Sequence, residues 1–114
     1  MSEIFGGADD PRILRAFANP AAAADNAIIA AVANRKIKVL AGSVVNNAAT
    51  ANTVIWKSGT NIIGPSIVLP ASIFGLVPYP YNEAGWLLTN VGEALNLNLS
   101  AATAVGVQVI YILV

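Results

Sequence analysis

Residues 92–100, GEALNLNLS, alternate leucine with asparagine and decide the class of fold. In an extended chain successive side chains point to opposite sides, so the leucines share one face: Leu95, Leu97 and Leu99. The other face carries Asn96 and Asn98, neutral amides where Lys, Glu or Thr usually meet water. The pattern predicts a β-strand with a buried leucine face and an outer face of low charge.

The final segment, AVGVQVIYILV (residues 104–114), becomes apolar on both faces toward its end. A strand covered on both faces is either central in a packed structure or lies at a subunit interface. Neutral amides suit a close contact, because a charged group there would carry a large desolvation cost. The alternative for the two asparagines is an uncharged surface that faces solvent. We predict an oligomer interface formed by Asn96, Asn98, Gln108, Ile110, Ile112 and Val114.

The rest of the chain from Asp25 onward has the same period of two. Residues 26–45 predict two strands with a turn near Asn34, and residues 46–60 predict a strand that carries Val54 and Trp56 on one face. About eight short strands separated by turn signals are typical of an antiparallel β-sandwich or jelly roll. The fold class predicted for residues 25–114 is therefore all-β.

Residues 1–24 differ from the rest and are predicted to form an N-terminal arm. Asp10 and Pro11 suit the start of a helix of one or two turns. Its apolar stripe would consist of Ile13, Leu14 and Phe17, and Asn19-Pro20 would end it. So short a helix is unstable alone. The arm is thus either a frayed terminus or a segment that docks on the domain or a neighbour.

Composition excludes several classes of function. Only 11% of the 114 residues are charged, 56% are apolar, and six basic residues balance six acidic ones. A neutral chain offers no strong field for nucleic acid or an anionic membrane, and its excess of apolar residues favours burial against copies of itself. Prolines and alternating asparagines argue against a membrane helix in residues 58–82 and 94–114. We therefore predict no nucleic-acid partner and no membrane.

The sequence also lacks the groups that most enzymes use. It contains no His and no Cys, which excludes the common catalytic triads and zinc sites. Glu83 and Glu93 would be the one candidate pair of carboxylates, but each lies beside glycine in a turn-like sequence. The basic cluster at residues 35–38 is read as a solvated strand face, and Trp56 and Trp86 as core side chains. We predict a protein without catalysis, cofactor or metal.

Three segments in a fixed order resemble small virion proteins of tailed bacteriophages. They are RKIKVLAGSVV (35–45), VIWKSGTNIIGP (54–65) and PYNEAGWLLTNVGEALNLNLSAATAVGVQVIYILV (80–114). The stretch GWLLTNVGEALNLNLSAA is the most specific part of the resemblance. The arm lies outside the resemblance, and the family supplies no catalytic residue.

The resemblance implies a compact β-sandwich or jelly-roll subunit, commonly trimeric, on the capsid surface or a tail appendage. Our first expectation is a capsid decoration, or cement, protein that binds the major capsid protein as a homotrimer. It would be made in the cytoplasm of the host bacterium and become part of the virion. The arm residues Ile13, Leu14 and Phe17 are then expected to contact the capsid. The alternative is a tail or fibre component that binds a host-surface glycan through the loop Pro78–Asn82.

Overall fold

A computed structural model describes residues 12–72 and 75–114 of this chain. These residues form ten β-strands and no α-helix. In chain order the strands are β1 (Leu14–Ala18), β2 (Asp25–Ile29), β3 (Ile37–Asn46), β4 (Asn52–Ser58), β5 (Asn61–Ile62), β6 (Ile67–Leu69), β7 (Leu76–Tyr79), β8 (Leu87–Leu88), β9 (Leu95–Leu99) and β10 (Val105–Leu113).

The strands form two antiparallel sheets of five strands each. The first sheet has the order β1-β10-β3-β7, with β8 also paired to β3. The second sheet has the order β2-β9-β4-β5, with β6 also paired to β4. The connections β1 to β2, β3 to β4 and β9 to β10 therefore each cross from one sheet to the other, which is jelly-roll connectivity. The predicted all-β sandwich is confirmed.

The core lies between the two sheets and is built by the alternation in each strand. The leucines of β9 and the inward residues of β4 are almost fully buried, as the period of two predicts. From the first sheet they meet the inward face of β10, which begins with Val105, Val107 and Val109. Side chains from the two inner faces form one apolar layer, the usual arrangement of a β-sandwich.

The predicted helix in the arm is wrong. Residues 14–18 form β1, which pairs with β10 along its whole length, from Leu14 opposite Tyr111 to Ala18 opposite Val107. The sequence LRAFA alternates half-buried and exposed residues, so Leu14 packs inward while Phe17 points outward. At the sheet edge, a strand forms backbone hydrogen bonds with the neighbouring strand. A helix of one or two turns forms few hydrogen bonds and is unstable alone. The predicted boundary at residue 25 therefore leaves out a strand of the first sheet.

The last two strands, β9 and β10, do not pair with each other. β9 pairs with β2 and β4, and β10 pairs with β1 and β3. Residues 100–104 carry the chain across the sandwich between them. The apolar second face of β10 is consequently far from the asparagine face of β9.

Removal of β1 provides a test of its place in the sandwich. We expect deletion of residues 1–18 to lower the free energy of unfolding by about 1–2 kcal/mol, because half-buried Leu14 and two inward alanines are lost. Urea denaturation followed by circular dichroism measures the change. Deletion of residues 1–11 alone serves as the control, since it keeps β1 intact. Equal stability of the two truncated proteins would show that β1 adds nothing to the domain.

Candidate interaction surface

The outer face of the second sheet is polar, and its polar groups bond to one another. The Asn98 amide donates to Asp25 Oδ1 at 2.7 Å, across the β2–β9 pair. The Lys57 Nζ lies 3.1 Å from the same carboxylate oxygen, from β4 on the other side. Donation by Asn98, reinforced by the charge of Lys57, holds the pKa of Asp25 below its ordinary value. An outer-face amide thus contacts a carboxylate from the neighbouring strand.

Asn96 has a different partner on the same face. Its amide donates to the backbone carbonyl of Gly59 at 2.9 Å. Gly59 has a φ of 57° in the turn between β4 and β5, a left-handed conformation that glycine adopts without strain. The neutral amides of β9 therefore tie neighbouring strands and a turn within one chain, which accounts for their presence without any second subunit.

A carboxylate also holds the turn before β9. The buried Ser58 hydroxyl donates to Glu93 Oε1 at 2.6 Å, and the Asn90 amide donates to the same oxygen at 3.1 Å. These two bonds, the Ser58 bond first, lower the pKa of Glu93 below its ordinary value. This is a structural role at a turn, in line with the interpretation of Glu93 from the sequence.

The lowered pKa of Glu93 predicts a component of acid sensitivity. Its contribution to stability is complete above the ordinary carboxyl pKa of about 4.3 and is lost as pH falls through the lower folded value. We expect the melting temperature of Glu93→Gln to fall less than that of the unaltered chain between about pH 5 and pH 3. Ser58→Ala should flatten the same profile, because it removes the main cause of the lowered pKa. Parallel profiles for all three proteins would contradict this role.

The outer face of the first sheet is largely apolar. β10 presents Gln108, Ile110 and Ile112 there, and β1 presents Arg15 and Phe17. Their neighbours on β3, β7 and β8 are mostly apolar as well: Ala41, Val45, Leu76, Pro78 and Leu88. Several of these side chains are exposed, with Phe17 at 83% and Leu76 at 53%. Exposed apolar side chains gathered on one face of a sheet mark a candidate interaction site.

The charges on this face lie toward one end. Arg15 is opposite Ile110, and Lys38 is opposite Ile112. Toward the other end β10 carries Gln108 and Gly106, with Ser43 and Val45 opposite them. We call this part, together with Phe17, Leu76 and Pro78, the charge-free end.

An open hollow of about 410 Å³ lies at the charge-free end. Phe17 and Gln108 line one part of it, and Val45 and Asn47 line another. Gly106 contributes only backbone, and a Cβ at this position would lie 2.9 Å from Asn47 Nδ2 and 3.1 Å from Val45 Cγ1. The missing side chain of Gly106 therefore leaves the space open.

The six predicted interface residues do not form one patch. Asn96 and Asn98 lie on the outer face of the second sheet, and Gln108, Ile110 and Ile112 lie on the outer face of the first. The prediction of a single patch is wrong because β9 and β10, although consecutive in the chain, belong to opposite sheets. Val114 is 49% exposed and follows β10 directly. The β10 residues remain candidates for a contact with another chain. The side chains of the two asparagines are hydrogen-bonded within this chain.

The three predicted capsid-contact residues also separate. Leu14 packs against the core side of β10, Ile13 is half-buried just before β1, and Phe17 is exposed on the outer face. A helical stripe does not exist here. The alternation in LRAFA indicates this strand. The residues before it, Asp10-Pro11, resemble the start of a helix and favour the wrong prediction.

The two tryptophans have different environments. Trp56 is buried in the core, as predicted from the sequence. Trp86 is 43% exposed, so its assignment to the core is wrong. It packs edge-on against Tyr79 with ring centroids 5.4 Å apart and donates to the Pro80 carbonyl at 2.7 Å. Tyr81, which is also exposed, follows Pro80 within the loop Pro78–Asn82, and we call these two exposed rings the aromatic surface.

Neither a metal site nor a membrane helix is found in the part of the chain that the structure describes. Residues 12–72 and 75–114 hold no group of three or more acidic, His or Cys side chains that could bind a metal. The same residues include no helix long and apolar enough to cross a membrane. Compared with known proteins, the chain matches no family model, no curated protein and no solved structure.

Proposed function

We propose that this chain is a structural virion protein of a tailed bacteriophage that decorates the capsid as a homotrimer. The observation that carries the proposal is the exposed apolar outer face of the first sheet, which is suited to protein contacts. The proposed partners are other copies of the chain and the major capsid protein. The protein is made in the host cytoplasm and acts at the capsid surface by adding contact area, without catalysis.

Three further observations support this proposal. The jelly roll is a fold that recurs in viral capsid proteins, although fold alone does not assign a function. The sequence resembles small phage virion proteins along residues 35–114. The serine–carboxylate contact of Ser58 with Glu93 is part of a turn beside Asn90, and the sequence contains no histidine to act as a base.

Imaging of the phage particle tests the proposal. In a cryo-electron density map of the phage that encodes this chain, we expect its jelly roll at many symmetry-related positions on the head. Purified protein added to heads stripped of it should restore that density. Heads without the density, in a particle that contains the chain at the tail, would refute decoration and favour a tail component.

A glycan-binding tail or fibre component is the second candidate function. The aromatic surface of Tyr81 and Trp86 supports it, because exposed aromatic rings can stack on the apolar faces of sugars. A glycan array probed with the unaltered chain and with Tyr81→Ala distinguishes the two candidates. Selective binding that Tyr81→Ala abolishes would support the glycan function, and no binding to any glycan would count against it.

A further inference from the structure

We propose that a second copy of this chain docks on the charge-free end of the first sheet. In this contact the Phe17 ring of one copy enters the hollow over Gly106 of the other. The inference concerns the self-association that is part of the proposed function, and it rests on that part. It assigns the self-contact to one of the two outer faces, which the sequence could not do.

Phe17 has the properties of a side chain that a partner covers. It is 83% exposed, the highest value among the large apolar side chains in the described residues. It lies on edge strand β1 opposite Gln108, while its neighbours Ala16 and Ala18 face inward. A phenyl ring held on a strand needs little ordering on binding, because it has only two side-chain torsions to fix.

The hollow is the complementary feature on the same face. Its volume of about 410 Å³ leaves room for a ring, and its wall includes the apolar side chain of Val45. Gln108 and Asn47 lie on its border and offer amide groups to a neighbouring backbone. Each copy thus presents both a projecting ring and a space that accepts one, so identical subunits can contact through these two features.

The charge-free end offers a small contact area. Residues 105–109 of β10 span about 17 Å there, and four strands side by side span about 19 Å. The flat area is then about 320 Å², below the roughly 800 Å² per partner of a standard interface, so we expect weak association. Arg15 is the next outward residue to Phe17 on β1, and Lys38 lies farther along the face, opposite Ile112.

The second sheet is less suited to this contact. Its outer face carries the ion pair between Asp25 and Lys57, which a partner would have to desolvate. Its exposed apolar side chains include Ile62, 64% exposed on β5, and Val68, 66% exposed on β6. Both strands pair with the same edge of β4, where Ile62 is opposite Lys57 and Val68 is opposite Thr53, so the two side chains lie beside polar residues of β4. Ile62 provides a matched control for Phe17.

Sedimentation velocity of the full chain at several concentrations and neutral pH tests the inference. We expect the unaltered protein to self-associate at micromolar concentration, and Phe17→Ser to raise the dissociation constant on the order of tenfold or more. Ile62→Ser, which removes an apolar side chain that is 64% exposed on the other face, should leave the dissociation constant unchanged. Circular dichroism and the melting temperature verify that each variant is folded.

Gln108→Glu is a second variant that leaves the shape of the face unchanged. It places a carboxylate from each copy in the contact, so association should weaken at neutral pH and recover when the carboxylate is protonated. A monomeric unaltered protein, or an oligomer that Phe17→Ser and Gln108→Glu leave intact, would overturn the inference. Decoration of heads by such a protein would leave the proposed function standing, whereas an oligomer with the expected sensitivities that never binds heads would refute the function alone.

Discussion

Replacement of Trp56 by Ala is expected to lower the free energy of unfolding by about 3–5 kcal/mol. Trp56 lies on β4, is 1% exposed and pairs with Leu97 of β9. Its indole Nε1 donates to the Tyr79 hydroxyl at 3.3 Å. Since β4 belongs to the second sheet and Tyr79 to the first, this bond joins the two sheets across the core. Alanine would leave a large cavity and an unpartnered hydroxyl.

Two variants separate the causes of this loss. Trp56→Phe keeps most of the apolar volume but removes the donor to Tyr79, so we expect a loss of about 1–2 kcal/mol. Trp86→Ala removes the same side chain from the surface and should cost less than about 1.5 kcal/mol. Guanidinium denaturation followed by circular dichroism measures all three. A cost for Trp86→Ala equal to that of Trp56→Ala would show that burial is not the cause.

Asn52→Ala is expected to cost about 2–4 kcal/mol, because it removes several part-buried hydrogen bonds at once. Asn52 is 1% exposed at the start of β4. Its side-chain oxygen accepts from the backbone amides of Ser100 and Ala101, both at 3.1 Å. Its amide group donates to the Ala101 carbonyl at 3.1 Å and to the Thr103 hydroxyl at 3.2 Å. One side chain thus holds the connection by which the chain crosses from β9 to β10.

The effect of Asn52 is best compared with that of another asparagine in the same sheet. Asn96→Ala removes one bond, to the Gly59 carbonyl, from a half-buried position, so its cost should be below about 1 kcal/mol. Asn52→Asp keeps the accepting oxygen but loses the donor, and it should be more stable in mild acid, where the carboxyl is protonated, than at neutral pH. Thermal unfolding at both pH values measures this. Equal costs for Asn52→Ala and Asn96→Ala would contradict the assigned role.

The pairing of β3 with β10 contains a bulge that the sequence pattern does not predict. Ile37 and Val39 face inward, but Val44 and Asn46 also face inward, so the alternation changes parity within the strand. The change occurs at a bulge, where Leu40 is the additional residue between the pairs Ala41–Ile110 and Val39–Tyr111. A bulge is fixed by the partner strand, which lies more than sixty residues later in this chain.

The buried asparagines are a second example. Asn46 and Asn52 look like ordinary turn residues in the sequence. In the folded chain both are 1% exposed, and the Asn46 amide donates to the carbonyls of Thr50 and Pro70. Their partners are backbone groups of loops. Backbone groups are the same in nearly every residue type, so the sequence does not identify them. Local pattern therefore identifies a polar residue near a turn but not the loops that it joins.

The sequence by itself determined the strands with clear alternation, the buried faces of β4, β9 and β10, and the low charge of the surface. These properties depend on the period of two and on residue type, both of which are local. Only the tertiary structure decided that residues 14–18 join β10, that β9 and β10 belong to opposite sheets, and that Phe17 lies beside the hollow over Gly106. The physical reason is that strand pairing joins residues far apart in sequence, so which outer face gathers the apolar side chains depends on the sheet order and not on any one strand.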